Sequence, residues 1–353
     1  MILHSVGREF RPWNEYAKDI RAELDRQSSW PLDVQEHSPV LARSDDPNPE
    51  APFVEYLRTL YGENQPDLII SVGAPSAGFI QRHRLELFST TPMLFTVVEQ
   101  RRVRTSELTE YDTVVAVRHD FRVLFESFLR IAPDTKIIAI VNGDSPNERF
   151  WQGEIRRELQ PLEDRIEMRW YDKTAALPPH SAIFWYQMIV DGAGVAHEGD
   201  RALQRLYATA NAPIFSHYDA FFGRKIVGGP MHSALANSRR AVAVAMRILN
   251  GEKPGEIRTA PSNFAPPRYD WRELRRWKIN QRFLPPGAEI DFREPTTWET
   301  YRWQVIFIFA IVLGAGRADF PASARARTTK FRRGAVPPTH VGARPCQPLC
   351  HGG

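Results

Sequence analysis

The sequence predicts an α/β protein of two lobes, each built on a parallel sheet. Three observations lead there. Residues 67–80, DLIISVGAPSAGFI, read as an apolar strand, a glycine turn and a helix start. The strand does not alternate polar with apolar, as expected when both faces of a sheet are covered. Variations on the same unit recur at 137–146 (IIAIVNGDSP), 182–192 (AIFWYQMIVDG) and 213–224 (PIFSHYDAFFGR). Strand-like and helix-like stretches also alternate along the chain, which calls for parallel pairing through right-handed crossovers.

The elements follow in order. Residues 1–5 form a short strand, and Pro12 opens a helix to Arg26 with Trp13, Tyr16, Ile20 and Leu24 at helical spacing. A strand at 31–37 precedes a loop of turn formers at 44–52 and a helix at 53–61. After the 67–80 unit comes a strand at 93–98. The polar, basic stretch 99–111 marks the crossing out of the first lobe. Strands at 113–117, 136–141, 165–170 and 181–186 alternate with helices at 120–131 and 146–160, the first capped by Asp120. Only ten residues, Tyr171–His180, join two of these strands, and they include Pro178 and Pro179. A parallel crossover with its helix needs about 10–12 residues or more. Either the two strands are not parallel neighbours or a helix is missing; a missing helix, exposing one face of the second lobe, is the expectation. A helix at 200–210, a strand at 213–216 and an aromatic loop at 218–222 follow. Helix 233–249 then ends at Asn250-Gly251, which supplies left-handed cap chemistry. A proline-rich return at 253–267, a short helix at 270–277 and a turn at Leu284 complete the body.

Beyond it the character changes. Trp298, Tyr301 and Trp303 precede an apolar run from Val305 to Leu313. Aromatics and an arginine beside such a run have the composition of a membrane interface. Val305–Ala315 would make about 16 Å of helix against a hydrocarbon core of about 30 Å. The expected organisation is therefore a first lobe at 1–112 and a second lobe with its return segments at 113–295, part of which packs on the first. A partial transmembrane helix at 296–315 and a disordered tail at 316–353 follow.

Composition narrows the function. An apolar share of 42% with 25% charged residues is ordinary for a soluble globular protein. The net charge of +4 is misleading. Residues 314–353 carry seven Lys/Arg and one acid, which leaves the body at −2. A nearly neutral body argues against a nucleic-acid partner. Both cysteines, Cys346 and Cys350, also lie in the tail, and a Cys-free body suits an oxidising compartment.

No catalytic constellation stands out, and no metal or cofactor is expected. Gly73-Ala-Pro-Ser76-Ala-Gly78 falls short of a G-x-S-x-G nucleophile elbow because Ala74 stands where glycine is needed. His217-Tyr-Asp219 offers two metal ligands without a convincing third, so a structural or cleft-lining role fits better. His119 and the His197-Glu198 pair lack a phosphoacceptor's helical setting. There is no P-loop and no G-x-G-x-x-G.

Binding is better supported. A cleft between α/β lobes is lined by the loops at strand ends. The candidates are Ser5, Gly7, Gly73, Ala74, Pro75, Ser76, Glu99, Gln100, Asn142, Tyr186, Gln187, Tyr218 and Asp219. The tyrosines supply flat apolar area, turn N–H groups and a serine hydroxyl would hold a carboxylate, and Glu99 and Asp219 would hold an amine. That chemistry describes a small, amino-acid-like ligand.

Several stretches together resemble the ABC-transporter substrate-binding family of the periplasmic-binding-protein type 1 fold. They are His4-Ser-Val-Gly-Arg-Glu-Phe10, Trp13-Asn-Glu-Tyr16, Asp67–Pro75, Val117-Arg-His-Asp-Phe121, Ala175–Trp185, Phe221–Ser233 and Ile248–Pro254, spread over residues 1–304. The form they are most similar to is the extracytoplasmic sensor domain of bacterial histidine kinases. The resemblance implies two Rossmann-like lobes, a ligand cleft between them and no reaction. It also implies a place on the periplasmic face of the inner membrane, a homodimer in the intact parent, and a kinase after the membrane helix. This chain departs from that pattern in its missing N-terminal membrane segment, the short stretch near residue 173, and its tail. Back-translated and read one base out of frame, residues 338–353 permit RLTSELAHVNRYATAG, and 316–336 permit a similarly helical run. The expectation is a frameshift near codon 313–315, with the kinase lost from this chain. A free solute-binding protein of an ABC importer is the alternative.

Overall fold

The computed structural model describes residues 1–7, 10–39, 49–171, 177–197, 199–295 and 297–318. Residues 1–294 form one compact unit, and the chain from Pro295 a second.

The first lobe is built on β1 (Ile2–His4), β2 (Glu36–His37), β3 (Ile69–Val72), β4 (Met93–Glu99) and β5 (Asp112–Val117). They lie in the order β2-β1-β3-β4-β5, every pair parallel. Alternate side chains serve opposite faces. Ile2, Ile70, Leu94 and Val115 share one buried cluster with Tyr16, Ile20 and Leu24 of α1 (Trp13–Gln27). Leu3, Ile69, Met93 and Phe95 share another with α2 (Ala51–Tyr61) and α3 (Ala74–Arg82). A four-residue helix, α4 (Arg84–Leu87), leads into β4. Both faces are covered, which is why β3, β4 and β5 are mainly apolar without alternation.

The second lobe holds β6 (Ile137–Asn142), β7 (Glu167–Tyr171), β8 (Ser181–Gln187) and β9 (Ile214–Ser216), again all parallel, in the order β7-β6-β8-β9. Ile138, Ile140, Phe184 and Phe215 pack with Phe125 and Phe128 of α5 (Phe121–Ile131) and Ile155 of α6 (Pro146–Leu159). Ala139, Ile183, Trp185 and Ile214 pack on the other face with Leu203 and Leu206 of α7 (Arg201–Thr209). Asp120 caps α5 as expected, its side chain accepting from Val123 N–H at 3.0 Å. Ser145 and Glu148 form a full capping box at the start of α6.

A small third sheet joins β10 (Gly228–Gly229), β11 (Arg268–Asp270) and β12 (Glu289–Asp291). Between β10 and β11 the chain returns to the first lobe as α8 (Ala234–Leu249), whose Ala241, Val242 and Ala245 join the cluster around Tyr16 and Ile20. It ends at Gly251, with φ +95°, the left-handed residue that the Asn-Gly pair supplies. A short helix, α9 (Trp271–Arg276), follows β11. The chain thus crosses between lobes three times: at 118–120, 230–233 and 262–267. The crossings are tied together by Arg118 N–H to Ser262 O at 2.8 Å and Ala265 N–H to Met231 O at 2.8 Å.

Two expectations need correction. Strand 112–117 belongs to the first sheet, where β5 pairs with β4 from Met93↔Asp112 to Glu99↔Val117. The crossing therefore comes after Val117 and not before Thr113, and the polar stretch 99–111 is a connection within the first lobe. It contains two turns of 3₁₀ helix, Gln100–Arg102 and Thr105–Glu107. Second, β7 and β8 are not neighbours: they flank β6, and both run parallel to it. Residues 172–176 of the connection lie outside the described residues. The sheet face there is not bare, since Ala139, Val141 and Leu177 are buried together. At edge strand β7 the ion pair Arg169–Glu167, 2.6 Å, is exposed.

In the second unit, α10 (Thr297–Ala318) forms where an apolar helix is expected. Its Tyr301, Trp303 and the side chains from Ile306 to Leu313 other than Ala310 are large hydrophobics, exposed throughout. No helix among the described residues is long and apolar enough to cross a membrane. The tail from Asp319 onward lies outside the described residues.

Candidate ligand-binding site between the lobes

The strands of both sheets end at a common seam. From the first lobe come Ser5, Gly73 and Glu99, at the ends of β1, β3 and β4. From the second come Asn142, Gln187 and Tyr218, at the ends of β6, β8 and β9. The lobes are shut on each other. The rings of Trp13 and Tyr16, at the start of α1, each lie 6.4 Å from Tyr218 across the seam. Arg101 of the first lobe pairs with Glu154 at 3.1 Å and with Glu158, both on α6, and its guanidinium lies 5.4 Å from the Trp151 ring. Arg102 stacks on Phe150 at 4.3 Å. Arg11 reaches Asp200 at 2.9 Å and Ala220 O at 3.0 Å.

On the first-lobe side, Ser5 and Ser76 come together but are turned inward. Ser5 Oγ donates to Val72 O at 2.7 Å and accepts from Ser76 N–H at 3.1 Å. Ser76 Oγ is within 3.0 Å of Val72 O and Gly73 O and 2.8 Å from Ser71 Oγ. These hydroxyls lock the strand ends to α3. Gly73 is required there: its φ is +91°, and a Cβ would stand 2.6 Å from Ser5 Oγ. Ala74 and Pro75 form the first turn of α3. Gly7 lies apart, its N–H donating to Ser38 Oγ at 2.9 Å.

Glu99 is buried, and it is already neutralised. It accepts from Arg101 N–H at 2.8 Å, Arg101 Nε at 3.0 Å and His119 N–H at 3.3 Å. Gln100 faces outward and lines a cavity of about 320 Å³ with Arg118, His119 and Asp120. Asp219 accepts from Ala234 N–H at 2.9 Å and so caps α8 from a distance; burial raises its pKa above the ordinary value.

Polar atoms without partners lie on both sides: Trp13 Nε1 on the first-lobe side, and a larger group on the second. Tyr186 stacks on His217 at 4.6 Å, and His217 lies 3.9 Å from Tyr218, centroid to centroid. His119 contacts His217 at 5.1 Å and Trp151 at 5.0 Å, and its Nδ1 is 2.8 Å from His232 Nε2. All three imidazoles are buried. Both ring nitrogens of His217, Nδ1 of His232, Nε2 of Gln187 and Oδ1 of Asn142 have no hydrogen-bond partner among the described residues. Leaving buried polar atoms unpaired is costly, and in native proteins such atoms call for an explanation. Burial pushes His119 and His217 well below the ordinary histidine value, with neighbouring imidazoles adding to the effect, and burial alone brings His232 to about 3. Burial likewise raises the phenols of Tyr16, Tyr186 and Tyr218. At neutral pH the imidazoles and phenols of the seam are thus uncharged donors and acceptors. No group of three or more His, Cys, Asp or Glu among the described residues is placed to hold a metal ion.

Of the thirteen residues expected at the site, Tyr186, Gln187, Tyr218, Asn142 and Glu99 meet at the seam. Sequence reasoning did not count Trp13, His119 or His232 among them, and it gave the His217-Tyr-Asp219 run a structural or cleft-lining role without naming His217 as a site residue. A signal was available: His119 and His217 each fall within two residues of the end of an apolar strand, the position that selected the other candidates.

No family model matches the chain, and no curated protein does. Solved structures do. A conserved domain protein from Vibrio cholerae is 15% identical with a TM-score of 0.59, over 82% of this chain and 98% of the other. An ABC domain from Streptococcus pneumoniae, solved in complex with L-Trp, is 12% identical with a TM-score of 0.57, over 82% and 99%. The ligand-free, open structure of a substrate-binding protein with adhesive properties from Clostridium difficile is 12% identical with a TM-score of 0.53, over 83% and 98%. The chain shares the α/β fold of these structures, with two parallel sheets. At these identities the likeness establishes architecture and not ligand.

Proposed function

We propose that residues 1–294 are an extracytoplasmic small-molecule-sensing domain, the input half of a membrane sensor histidine kinase. The lobes close on a ligand at the seam, and closure is passed to the segment after β12. The observation that carries the binding role is the set of buried, partnerless polar atoms on Asn142, Gln187, His217 and His232, on strand ends and a crossing at the seam. The sensor role is supported by α10, which follows directly and presents aromatic and then aliphatic side chains. In this reading the domain lies on the periplasmic face of the inner membrane, the intact parent is a homodimer, and this chain catalyses no reaction of its own. The ligand is small and amino-acid-like, and its polar edge is read by Gln187 and the imidazoles. The second reading, a solute-binding protein of an ABC importer, is favoured by the lack of any described helix able to span a membrane.

Two experiments test this. Isothermal titration of the full chain with each of the twenty L-amino acids is expected to give saturable binding for at least one, lost in Gln187→Ala. Twenty flat titrations overturn the amino-acid reading. Sequencing the DNA beyond codon 300 decides the context. An alternate frame open into a His-Glu phosphoacceptor helix and an ATP-binding domain is expected, and one that closes at once hands the role to the importer.

A further inference from the structure

The imidazoles at the seam occupy mechanically special positions. His119 lies on the first crossing between the lobes and His232 on the second, and they are hydrogen-bonded to each other at 2.8 Å. His119 is held from both sides. Its backbone belongs to the first lobe, through its N–H to Glu99 at 3.3 Å and Arg101 Nη2 to its carbonyl at 3.0 Å. Its ring is seated on the second, against Trp151 and His217. His232 packs on Phe264 of the third crossing at 4.5 Å. All three crossings therefore meet around one buried imidazole pair.

We propose that this pair makes the hinge acid-responsive: protons are a second input to the domain, and they drive the lobes open. This goes beyond the sensing role and does not depend on which molecule occupies the seam. A neutral pair needs one ring as donor and the other as acceptor. Protonating both turns two donors toward each other, and both rings are buried. The charged and titratable groups facing the pair do not offset this. From the β4 end, Glu99 is already paired with Arg101. Arg101 itself disfavours a charge on His119, as do His217 and His232. Tyr218 keeps its proton. Glu158 of α6 is taken by Phe121 N–H at 2.8 Å and by Arg101.

The sign follows from burial. Closure depresses the histidine values, so above about pH 6.5 the rings are neutral in both states and closure carries no proton cost. Below it the open state takes up protons that the closed state refuses. From pH 7.5 to 5.0 the closed-to-open ratio falls by about thirty-fold for each histidine that opening exposes. The window stops above the ordinary carboxylate range.

The test is small-angle X-ray scattering of the full, ligand-free chain at pH 7.5 and 5.0, with far-UV circular dichroism to confirm that the fold persists. The radius of gyration is expected to rise at pH 5.0 and to recover on return to 7.5. In His119→Asn/His232→Gln, which keeps neutral hydrogen-bonding groups, it is expected to stay at the closed value. Should that variant fail to fold, His232→Gln alone is expected to reduce the pH response. A wild-type radius unchanged between the two pH values overturns the proposal, as does a variant that opens as far as wild type. Amino-acid titrations at pH 7.5 are unaffected by either result, so the binding role stands or falls separately.

Discussion

Arg101→Ala is expected to loosen the closed lobes without unfolding them. Across the seam Arg101 makes two ion pairs, to Glu154 at 3.1 Å and to Glu158, and a cation–π contact with Trp151 at 5.4 Å. Its side chain is 28% exposed, Glu154 10% and Glu158 23%, so the pairs are only partly screened. At roughly 0.5–1 kcal/mol for each pair and a similar amount for the ring contact, the latch holds about 2 kcal/mol of closure. At about 1.4 kcal/mol per decade, its loss shifts the closed-to-open ratio by roughly thirty-fold. Unfolding is less affected. Glu99, which Arg101 also neutralises, keeps the N–H groups of residue 101 and His119, and the alanine variant retains both. The assay is fluorescence of Trp151, whose ring loses the guanidinium and gains water on opening. It is read alongside the radius of gyration at pH 7.5 and the midpoint of urea unfolding. An unchanged radius would refute the latch. A fall in unfolding midpoint with no change in radius would show that Arg101 holds the second lobe together and not the two lobes to each other.

Other positions give sharper structural readouts. Ser76→Ala leaves Ser71 Oγ without its recorded partner in a fully buried site and is expected to cost about 1–3 kcal/mol by urea denaturation. Titration with whichever amino acid binds wild type should show little change in affinity, because the hydroxyl is spent on Val72 and Gly73. Gly228→Ala sets a Cβ against Arg268 O and 2.8 Å from Tyr269 Cα, at φ +111°, so β10 must part from β11; loss of soluble, cooperative unfolding is expected by differential scanning calorimetry. Phe128→Ala removes a ring that stacks on Phe215 at 4.3 Å and is 1% exposed, and should cost about 3–5 kcal/mol.

The architecture was legible because it follows from local physics. Strands buried on both faces are mostly apolar without alternation, and Ile69–Val72, Ile137–Asn142 and Ser181–Gln187 fit, their polar residues being Ser71, Asn142, Ser181 and Gln187. Caps at Asp120 and Ser145 and the stop at Gly251 obey rules that act within four residues. The partition of strands between sheets was less legible, because it is decided by partners distant in sequence. Thr113–Val117 reads equally well as the last strand of one sheet or the first of another. What settles it is pairing with β4 and the cover supplied by the return segment, where Thr113 Oγ1 donates to Ile257 O and Thr259 Oγ1 to Val114 O. No window of sequence around residue 113 contains that information. The ten-residue link before β8 is a similar case: that β7 and β8 lie on either side of β6 is decided by pairing with β6, which no window around the link contains.

The site divides along the same line. A strand-end position brings Tyr186, Gln187 and Tyr218 to the seam. It does not say whether a polar group arrives there free or already engaged. Ser76, Glu99 and Asp219 have the right chemistry for an amino acid's charged ends, yet each is occupied: by strand carbonyls, by Arg101, and by the first turn of α8. The atoms left without partners at the seam are instead on neutral groups, among them Gln187 Nε2, both ring nitrogens of His217 and Nδ1 of His232. A ligand seated here would be recognised by hydrogen bonds and ring faces in a dry setting, where each unmet bond costs more than it would in water. Such a site discriminates sharply between ligands that do and do not complete its bonds. It also makes closure sensitive to anything that changes the charge of the imidazoles, so the features that suit the seam to reading a small polar molecule are the ones that expose it to pH.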